Sequence, residues 1–269
     1  MSVDPTYYFS YTPANIAPEV AAGVFMTISL VLCVQTLKSR GPTWLMILSM
    51  TSLCEAIGYG FRTVCIYWTT LETFTAMTLF LLLPPNALAL TNYKTLGEVI
   101  RSSPAIDPDS RKIAPGYFFL RPKFVTWFFF GSDVASFLLQ AAGVGISTQD
   151  GQRALAKNTV LAGLAVQLFF FAAFLCIAAY AFQSPAYVVE CGPQDLSRIG
   201  AKRRLFSVII ATTVLLYARS VYRVAEFVGG YGSWVYGSEW LFYLCDTGMV
   251  LASFGIYMHS FIGHHFIMM

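Results

Sequence analysis

The sequence predicts an all-α polytopic membrane protein, built as a single domain of seven transmembrane helices that comprises residues 1–269. Composition indicates this class, because 57% of the residues are hydrophobic and 12% are charged, whereas an ordinary soluble domain has about 25% charged residues. Hydropathy indicates the number of helices, since seven apolar segments each approach the ~20 residues that cross a hydrocarbon core of ~30 Å. We therefore expect an integral, multi-pass protein of the plasma membrane or an endomembrane.

The apolar segments predict the position of each span in turn. Span 1 follows a polar, turn-rich stretch without a basic segment, so no cleavable signal peptide is expected. Span 3 contains Pro84-Pro85, a pair that must kink or break a helix and leaves backbone groups for neighbouring helices to satisfy. Spans 6 and 7 carry the most charge. The predicted spans are 18–37, 43–64, 72–93, 124–146, 159–182, 205–228 and 239–262.

Lysine and arginine predict an N-terminus outside and a C-terminus in the cytoplasm. Twelve of these residues lie at the connections between spans 1 and 2, 3 and 4, and 5 and 6, whereas the opposite side has Arg153 and Lys157. Short cytoplasmic loops are the ones enriched in Lys and Arg. Because the basic residues are spread over such loops, no nucleic-acid partner is expected.

Charged and polar residues recur inside the apolar segments at helical spacing. They step by three, four or seven residues within a span, which places each set on one face of its helix. Charges that face lipid are costly, so these faces should point into the bundle. The candidate substrate-binding residues are Glu55, Tyr59, Arg62, Asn86, Asp133, Gln140, Gln167, Arg219, Tyr222, Arg223, Glu226, Glu239, Tyr243 and Asp246.

Under the predicted orientation, most of these residues fall in the exoplasmic half of the bilayer, which predicts one polar cluster there. Arg219 and Arg223 are expected to meet partners on spans 2, 4 and 7. The set holds five acids and three bases, so two acids lack a cationic partner and are either protonated or available to a cation. The alternative is an ion-pair network that only fixes helix packing. The three histidines lie at the far end of span 7 without metal-binding spacing, so neither a metal nor a cofactor is predicted.

Four segments of the chain resemble a known family. They read "EAIGYGFR" (55–62), "DVASFLLQAAGVGI" (133–146), "GLAVQLFFFAAF" (163–174) and "RSVYRVAEFVGGYGSWVYGSEWLFYLCD" (219–246). Together they are similar to the fungal seven-span aminocholesterol-resistance proteins, also called lipid-translocating exporters. The resemblance implies resistance to amphiphilic toxicants and release or translocation of sphingoid bases. It also implies that the family's characteristic polar positions are Glu55, Arg62, Asp133, Gln140, Gln167, Arg219, Arg223, Glu226, Glu239 and Asp246.

Three classes of function remain open, of which transport is favoured. The first is a transporter or translocase of an amphiphilic lipid of the sphingoid-base or sterol-amine type, whose partners are membrane lipids or an amphiphilic small molecule. The second is an intramembrane isomerase, cyclase or hydrolase that uses carboxylate acid/base chemistry, with Asp133, Glu226, Glu239 and Asp246 as candidates. The third is a signalling receptor, although the familiar receptor switch motifs are missing. The sequence does not indicate the oligomeric state.

Overall fold

The computed structural model of the protein describes residues 13–39, 42–102, 121–146, 152–183, 198–230 and 233–261. Within these residues the regular secondary structure is helical, and seven helices are long and apolar enough to cross a membrane. The predicted all-α, seven-span architecture is therefore confirmed, and the chain is an integral multi-pass membrane protein.

Six of the spans are single helices and the seventh is interrupted. Span 7 consists of the α-helical pieces Glu239–Phe242 and Gly248–His259, joined by a π-helical turn at Tyr243–Thr247. A short helix, Trp234–Gly237, precedes it, and a 3₁₀ turn, Thr43–Leu45, precedes span 2. Spans 1 to 6 are Ile16–Lys38, Met46–Tyr67, Leu71–Ser102, Pro122–Ile146, Arg153–Gln183 and Arg198–Gly229.

Three helices extend well beyond the apolar segments that predicted them. Span 3 continues to Ser102 rather than residue 93, span 5 begins at Arg153 rather than 159, and span 6 begins at Arg198 rather than 205. Hydropathy detects the part of a helix that suits hydrocarbon, whereas its backbone hydrogen bonds can continue into polar sequence. The limits of the spans within the membrane therefore stay predictions, although the number of seven spans is confirmed.

The spans form a closed ring with further contacts across its centre. Each span packs against the next in sequence, the second half of span 7 closes the ring against span 1, and span 3 also contacts span 6. We call the end of the bundle at which span 1 begins the N-terminal end. It also holds the connections between spans 2 and 3, 4 and 5, and 6 and 7. Span 3 therefore contacts span 6 as well as its neighbours in the ring, spans 2 and 4.

Spans 4 and 5 approach each other closely through glycine. A Cβ atom on Gly143 would lie 2.9 Å from the carbonyl oxygen of Ala156, and one on Gly163 would lie 2.8 Å from that of Ser136. Small residues at such positions let transmembrane helices pack with their backbones in contact. This approach brings the polar side chains of spans 4 and 5 within hydrogen-bonding distance.

The outer surface of the bundle is apolar and its ends carry tryptophan. Leu138 and Phe169 are exposed by 60% and 68%, which suits contact with lipid tails rather than with water. Trp68, Trp234 and Trp240 are exposed near the N-terminal end of the bundle. Tryptophan is enriched at the interface between membrane and water, so these rings indicate the depth at which that end meets the head groups.

Candidate functional site

An ionic cluster joins spans 2, 6 and 7 near the N-terminal end of the bundle. Span 2 contributes charges from its middle and its last two turns, span 6 from its last third, and span 7 from near its start, and the antiparallel packing of span 7 brings these charges together. Among the ion-paired side chains of this cluster, the most exposed, Glu239, is 16% exposed. The cluster consists of Glu55, Arg62, Arg219, Arg223, Glu226, Glu239 and Asp246.

Asp246 is the centre of this cluster. Arg223 binds it through two hydrogen bonds, from Nε to Oδ1 at 3.0 Å and from Nη2 to Oδ2 at 2.9 Å. Arg219 lies beside the same carboxylate, with its Nε 2.7 Å from Oδ1, and Arg223 also donates from Nη1 to Glu226 Oε2 at 3.1 Å. Asp246 lies in the π-helical turn, and such turns are frequent at functional sites. One carboxylate thus serves two guanidinium groups.

A second ion pair lies closer to the end of the bundle. Arg62 Nη2 lies 3.3 Å from Glu239 Oε1, and the backbone N–H of Ala14 donates to the other oxygen of Glu239 at 2.9 Å. Glu239 therefore links the start of span 1 and the end of span 2 to the start of span 7. Its position at the first turn of a helix is also favourable for a negative charge.

Aromatic rings separate the cationic groups of the two ion pairs. The guanidinium carbons of Arg62 and Arg223 lie 4.5 and 5.5 Å from the ring centroid of Phe242, and Arg62 also lies 5.5 Å from the ring of Tyr243. Cations at these distances are attracted to the face of a ring. Tyr59 stacks on Tyr243 and shares a hydrogen bond with Thr247. Phe242 was not among the predicted site residues, because an apolar ring in an apolar segment gives no signal.

Arg219 also satisfies a backbone group that proline leaves open on span 3. Pro85 has no N–H, so the carbonyl of Leu81, four residues earlier, has no donor within the helix. Arg219 Nη2 donates to this carbonyl at 3.1 Å. The helix runs through Pro84-Pro85 without interruption, so the pair does not break span 3. A neighbouring helix satisfies the carbonyl, as the sequence predicted.

A separate chain of amide groups joins spans 3, 4 and 5. Gln140 Nε2 donates to Gln167 Oε1 at 3.0 Å, and Gln167 Nε2 donates to Asn86 Oδ1 at 2.6 Å. All three side chains are buried, and the Nδ2 group of Asn86 has no hydrogen-bond partner within the described part of the chain. This group is uncharged and lies on the opposite side of span 3 from span 2.

Asp133 does not join the arginines, which corrects the expectation that they would meet a partner on span 4. The carboxylate partners of Arg219 and Arg223 lie on spans 6 and 7, whereas Asp133 Oδ2 accepts a hydrogen bond from the hydroxyl of Tyr93 on span 3 at 2.8 Å. Asp133 is two helical turns from Gln140 along span 4, away from the N-terminal end. The predicted single cluster is therefore divided into several groups.

A fourth polar group, formed by Asn92, Thr212, Thr213 and Tyr257, was not among the predicted site residues. Asn92 on span 3 donates to Thr213 at 3.1 Å and accepts from Thr212 at 3.1 Å, both on span 6, and also accepts from Tyr257 on span 7. The sequence signal available for this group was an isolated Asn92, together with the Thr212-Thr213 pair, within otherwise apolar segments. This group ties spans 3, 6 and 7 together below the ionic cluster.

The structure identifies which acids lack a cationic partner. Glu226, Glu239 and Asp246 each form an ion pair with arginine, whereas Glu55 and Asp133 form none among the described residues. Glu55 is 2% exposed and interacts electrostatically with Arg219, Arg223 and Asp246 without an ion pair to any of them. Tyr222 lies beside the cluster, and its buried hydroxyl has no hydrogen-bond partner in the described chain. In that part of the chain, no group of three or more His, Cys, Asp or Glu residues is placed to hold a metal ion.

Comparisons with known proteins agree with the resemblance seen in the sequence. The family described as RTA1-like protein matches residues 48–268. Protein RTM1 of Saccharomyces cerevisiae is 29% identical over 80% of this chain and 66% of its own length. Protein RTA1 of the same yeast is 29% identical over 71% of this chain, and Protoporphyrin uptake protein 1 is 26% identical over 80%.

The matched region spans 57% of protein RTA1 and 67% of Protoporphyrin uptake protein 1, so this chain corresponds to about two thirds of these yeast proteins. No solved structure matches. The family match covers most of the chain, including most of span 2, the whole of spans 3 to 7 and the whole ionic cluster. The chain therefore belongs to the RTA1-like family of membrane proteins.

Proposed function

We propose that this protein translocates amphiphilic molecules that carry a cationic amine, such as a sphingoid base or a sterol amine, and that it thereby supports resistance to amphiphilic toxicants. The ionic cluster binds the amine head group in this proposal, and the hydrophobic part of the molecule stays in the hydrocarbon region. The observation that carries the proposal is Glu55, a buried carboxylate inside the cluster without an ion pair.

The cluster has one more carboxylate than it has guanidinium groups, so one additional cation would balance its charge. Three guanidinium groups face four carboxylates, because Glu55 adds to Glu226, Glu239 and Asp246. A buried carboxylate without a cationic partner is costly, and a charged hydrogen-bond donor offsets that cost. An ammonium head group supplies both the missing charge and up to three N–H donors. A neutral or anionic head group supplies no such charge.

The depth of the cluster suits a head group that arrives from the lipid–water interface. Arg62 lies six residues before Trp68, and Asp246 lies six residues after Trp240, which is about 9 Å along a helix. A head group that reaches Arg62 or Asp246 would move only this far from the tryptophan level while its tail remained in lipid. One that reaches Glu55, thirteen residues before Trp68, would move about 20 Å. In the orientation that Lys and Arg predict, this end is the exoplasmic one.

The geometry supports transport better than catalysis. Of the four carboxyl groups proposed as catalytic residues, Glu226, Glu239 and Asp246 are neutralised by arginine, and Asp133 lies in a different group. Acid/base catalysis needs a carboxyl group within reach of the reacting atom and free to exchange a proton. The name of the yeast relative Protoporphyrin uptake protein 1 also refers to movement of an amphiphile rather than to its conversion.

A binding experiment on the purified protein tests the role of Glu55. Sphingosine, which carries an amine, should bind more tightly than N-acetylsphingosine, which is neutral, because only the first can pair with Glu55. The variant Glu55→Gln should weaken sphingosine binding about tenfold or more, the loss expected for one charge-assisted hydrogen bond, and should leave the neutral analogue unaffected. Glu98→Gln is the matched control, since Glu98 pairs with the exposed Arg101 outside the cluster.

Two results would contradict this proposal. Equal affinity for the amine and its neutral analogue would show that the cluster does not recognise a cation. Tighter binding of protoporphyrin, whose polar groups are carboxylates, together with its loss in Arg62→Gln, would assign the cluster to anionic amphiphiles instead. Translocation itself is measured with the same ligands in vesicles that contain the protein.

A further inference from the structure

The second acid without a cationic partner, Asp133, lies in an environment unlike that of Glu55. Its side chain has no exposed surface, its Oδ2 accepts one hydrogen bond from Tyr93, and its Oδ1 has no partner within the described residues. Among the described residues, no ion pair to Asp133 is formed. No arginine or lysine of the described chain neutralises this carboxyl group.

Aromatic rings surround the pair of Asp133 and Tyr93. The Tyr93 ring lies 4.6 Å from that of Phe174 on span 5 and 5.5 Å from that of Phe129 on span 4, and these two rings are 5.5 Å apart. Other titratable groups nearby in sequence are directed elsewhere. Lys94 lies over the ring of Trp44, near the start of span 2, and Cys176 of span 5 is exposed on the outer surface.

A charged carboxylate in such surroundings is costly because neither water nor a counter-ion compensates it. The group is closed to solvent, so a cation that needs several ligands or a hydration shell does not reach it in this conformation. A proton adds directly to a carboxylate oxygen and needs no further space. The unpartnered Oδ1 is the oxygen available for it, because Oδ2 is already occupied by the Tyr93 hydroxyl.

Span 3 connects this pair to the ionic cluster. Leu81 of span 3 accepts from Arg219 of the cluster, and Tyr93 of the same helix donates to Asp133. The two residues are twelve positions apart, which is about 18 Å along the helix axis. The proline pair lies between them. A bend of span 3 between Leu81 and Tyr93 would therefore move the Tyr93–Asp133 pair relative to the ionic cluster.

We propose that Asp133 is a proton-binding site and that the binding and release of its proton is coupled to movement of the amphiphile. In the conformation described here the proton is on Oδ1 and the carboxyl group is neutral. When the bundle opens, the proton leaves to water, Asp133 becomes a carboxylate, and no other bond is made or broken. The coupling rests on the proposed transport function, whereas the proton site itself does not.

Infrared spectroscopy of the reconstituted protein at neutral pH tests the proton site without any transport measurement. A protonated carboxyl group has a carbonyl stretch separate from the bands of carboxylates. We expect such a band in the wild-type protein and its loss in Asp133→Asn, which still accepts a hydrogen bond from Tyr93. Tyr93→Phe should shift the band, because the hydrogen bond to the carboxyl group is removed. If Asp133→Asn leaves the protonated-carboxyl region unchanged, the site is not protonated and the proposal is wrong.

Vesicles with an imposed pH gradient test the coupling. Sphingosine translocation by the wild-type protein should change with the gradient, and Asp133→Asn should lose this dependence while it still binds sphingosine through the ionic cluster. Full gradient dependence in Asp133→Asn would overturn the coupling. If the wild-type protein translocates no amphiphile, the proposed function and the coupling to it fail, whereas the infrared band still decides whether Asp133 binds a proton.

Discussion

The ionic cluster on spans 2, 6 and 7 and the amide chain on spans 3, 4 and 5 are both buried polar groups, but they are neutralised differently. In the cluster each arginine and most acids depend on a partner of opposite charge. In the amide chain Asn86, Gln140 and Gln167 share hydrogen bonds between neutral groups. Removal of one member therefore leaves a full charge unpaired in the first group and only a dipole in the second. Burial alone does not measure what a polar residue contributes in a membrane.

The largest effect is expected for Asp246→Ala, which removes the carboxylate shared by Arg219 and Arg223. Breaking a buried ion pair by removing one partner costs about 3–5 kcal/mol, so the variant should unfold at a clearly lower temperature in detergent. Glu226→Ala is the matched control, because Arg223 keeps its two hydrogen bonds to Asp246 in that variant. Equal thermal stability of the two variants would show that Asp246 is not the centre of the cluster.

An intermediate effect is expected where the cluster meets span 3. Arg219→Met removes the donor to Leu81, and Pro85→Ala restores an N–H that can replace it within the helix. The double variant should therefore be less destabilised than the sum of the single ones, by a coupling of about 0.5–3 kcal/mol. Thermal unfolding of all four proteins measures this coupling.

Pro84→Ala is the control for that cycle, since its restored N–H would face the carbonyl of Phe80 rather than that of Leu81. We expect it to show little coupling to Arg219→Met. Equal coupling for both prolines would mean that Arg219 acts through its ion pair with Asp246 and not through the backbone of span 3.

The smallest effects are expected in the amide chain, where Gln167→Leu should have the larger one. This variant leaves Gln140 and Asn86 each without one hydrogen bond, and such bonds between membrane helices contribute about 1 kcal/mol. Gln140→Leu, at the end of the chain, should cost less still, because Gln167 and Asn86 keep their contact. A loss of stability as large as that of Asp246→Ala would contradict the distinction between charged and neutral groups.

The fold was predictable because the apolar segments are long and well separated, and lipid leaves few alternatives to helices. The contacts between the side chains of the site were less predictable from the sequence. The spacing of Glu239, Tyr243 and Asp246 predicted a regular helical face, but the π-helical turn at Tyr243–Thr247 interrupts that regularity. Such a turn depends on the surrounding contacts and gives no sign in the periodicity of the segment.

It was predictable that buried charged residues would pair with one another, but not which residues would form each pair. The excess of two acids over bases correctly implied two carboxyl groups without arginine, but only the packing of spans 3, 4 and 5 identifies Asp133 as one of them. Asn86, Gln140 and Gln167 were predicted although they are neutral, whereas Asn92 and Tyr257 were missed, because their hydrogen bonds join helices that are not neighbours in sequence. The orientation of the bundle and the binding role of each site residue stay predictions.

The hydrogen bond from Arg219 to Leu81 has a mechanical consequence for span 3. A helix normally resists bending because its backbone bonds must open together over a full turn. At Leu81 one of those bonds is replaced by a side chain of another helix, so it can open without the unwinding of a helical turn. Span 3 can therefore act as a hinge at this position, where bending releases a single side-chain contact and leaves the helical turns on both sides intact.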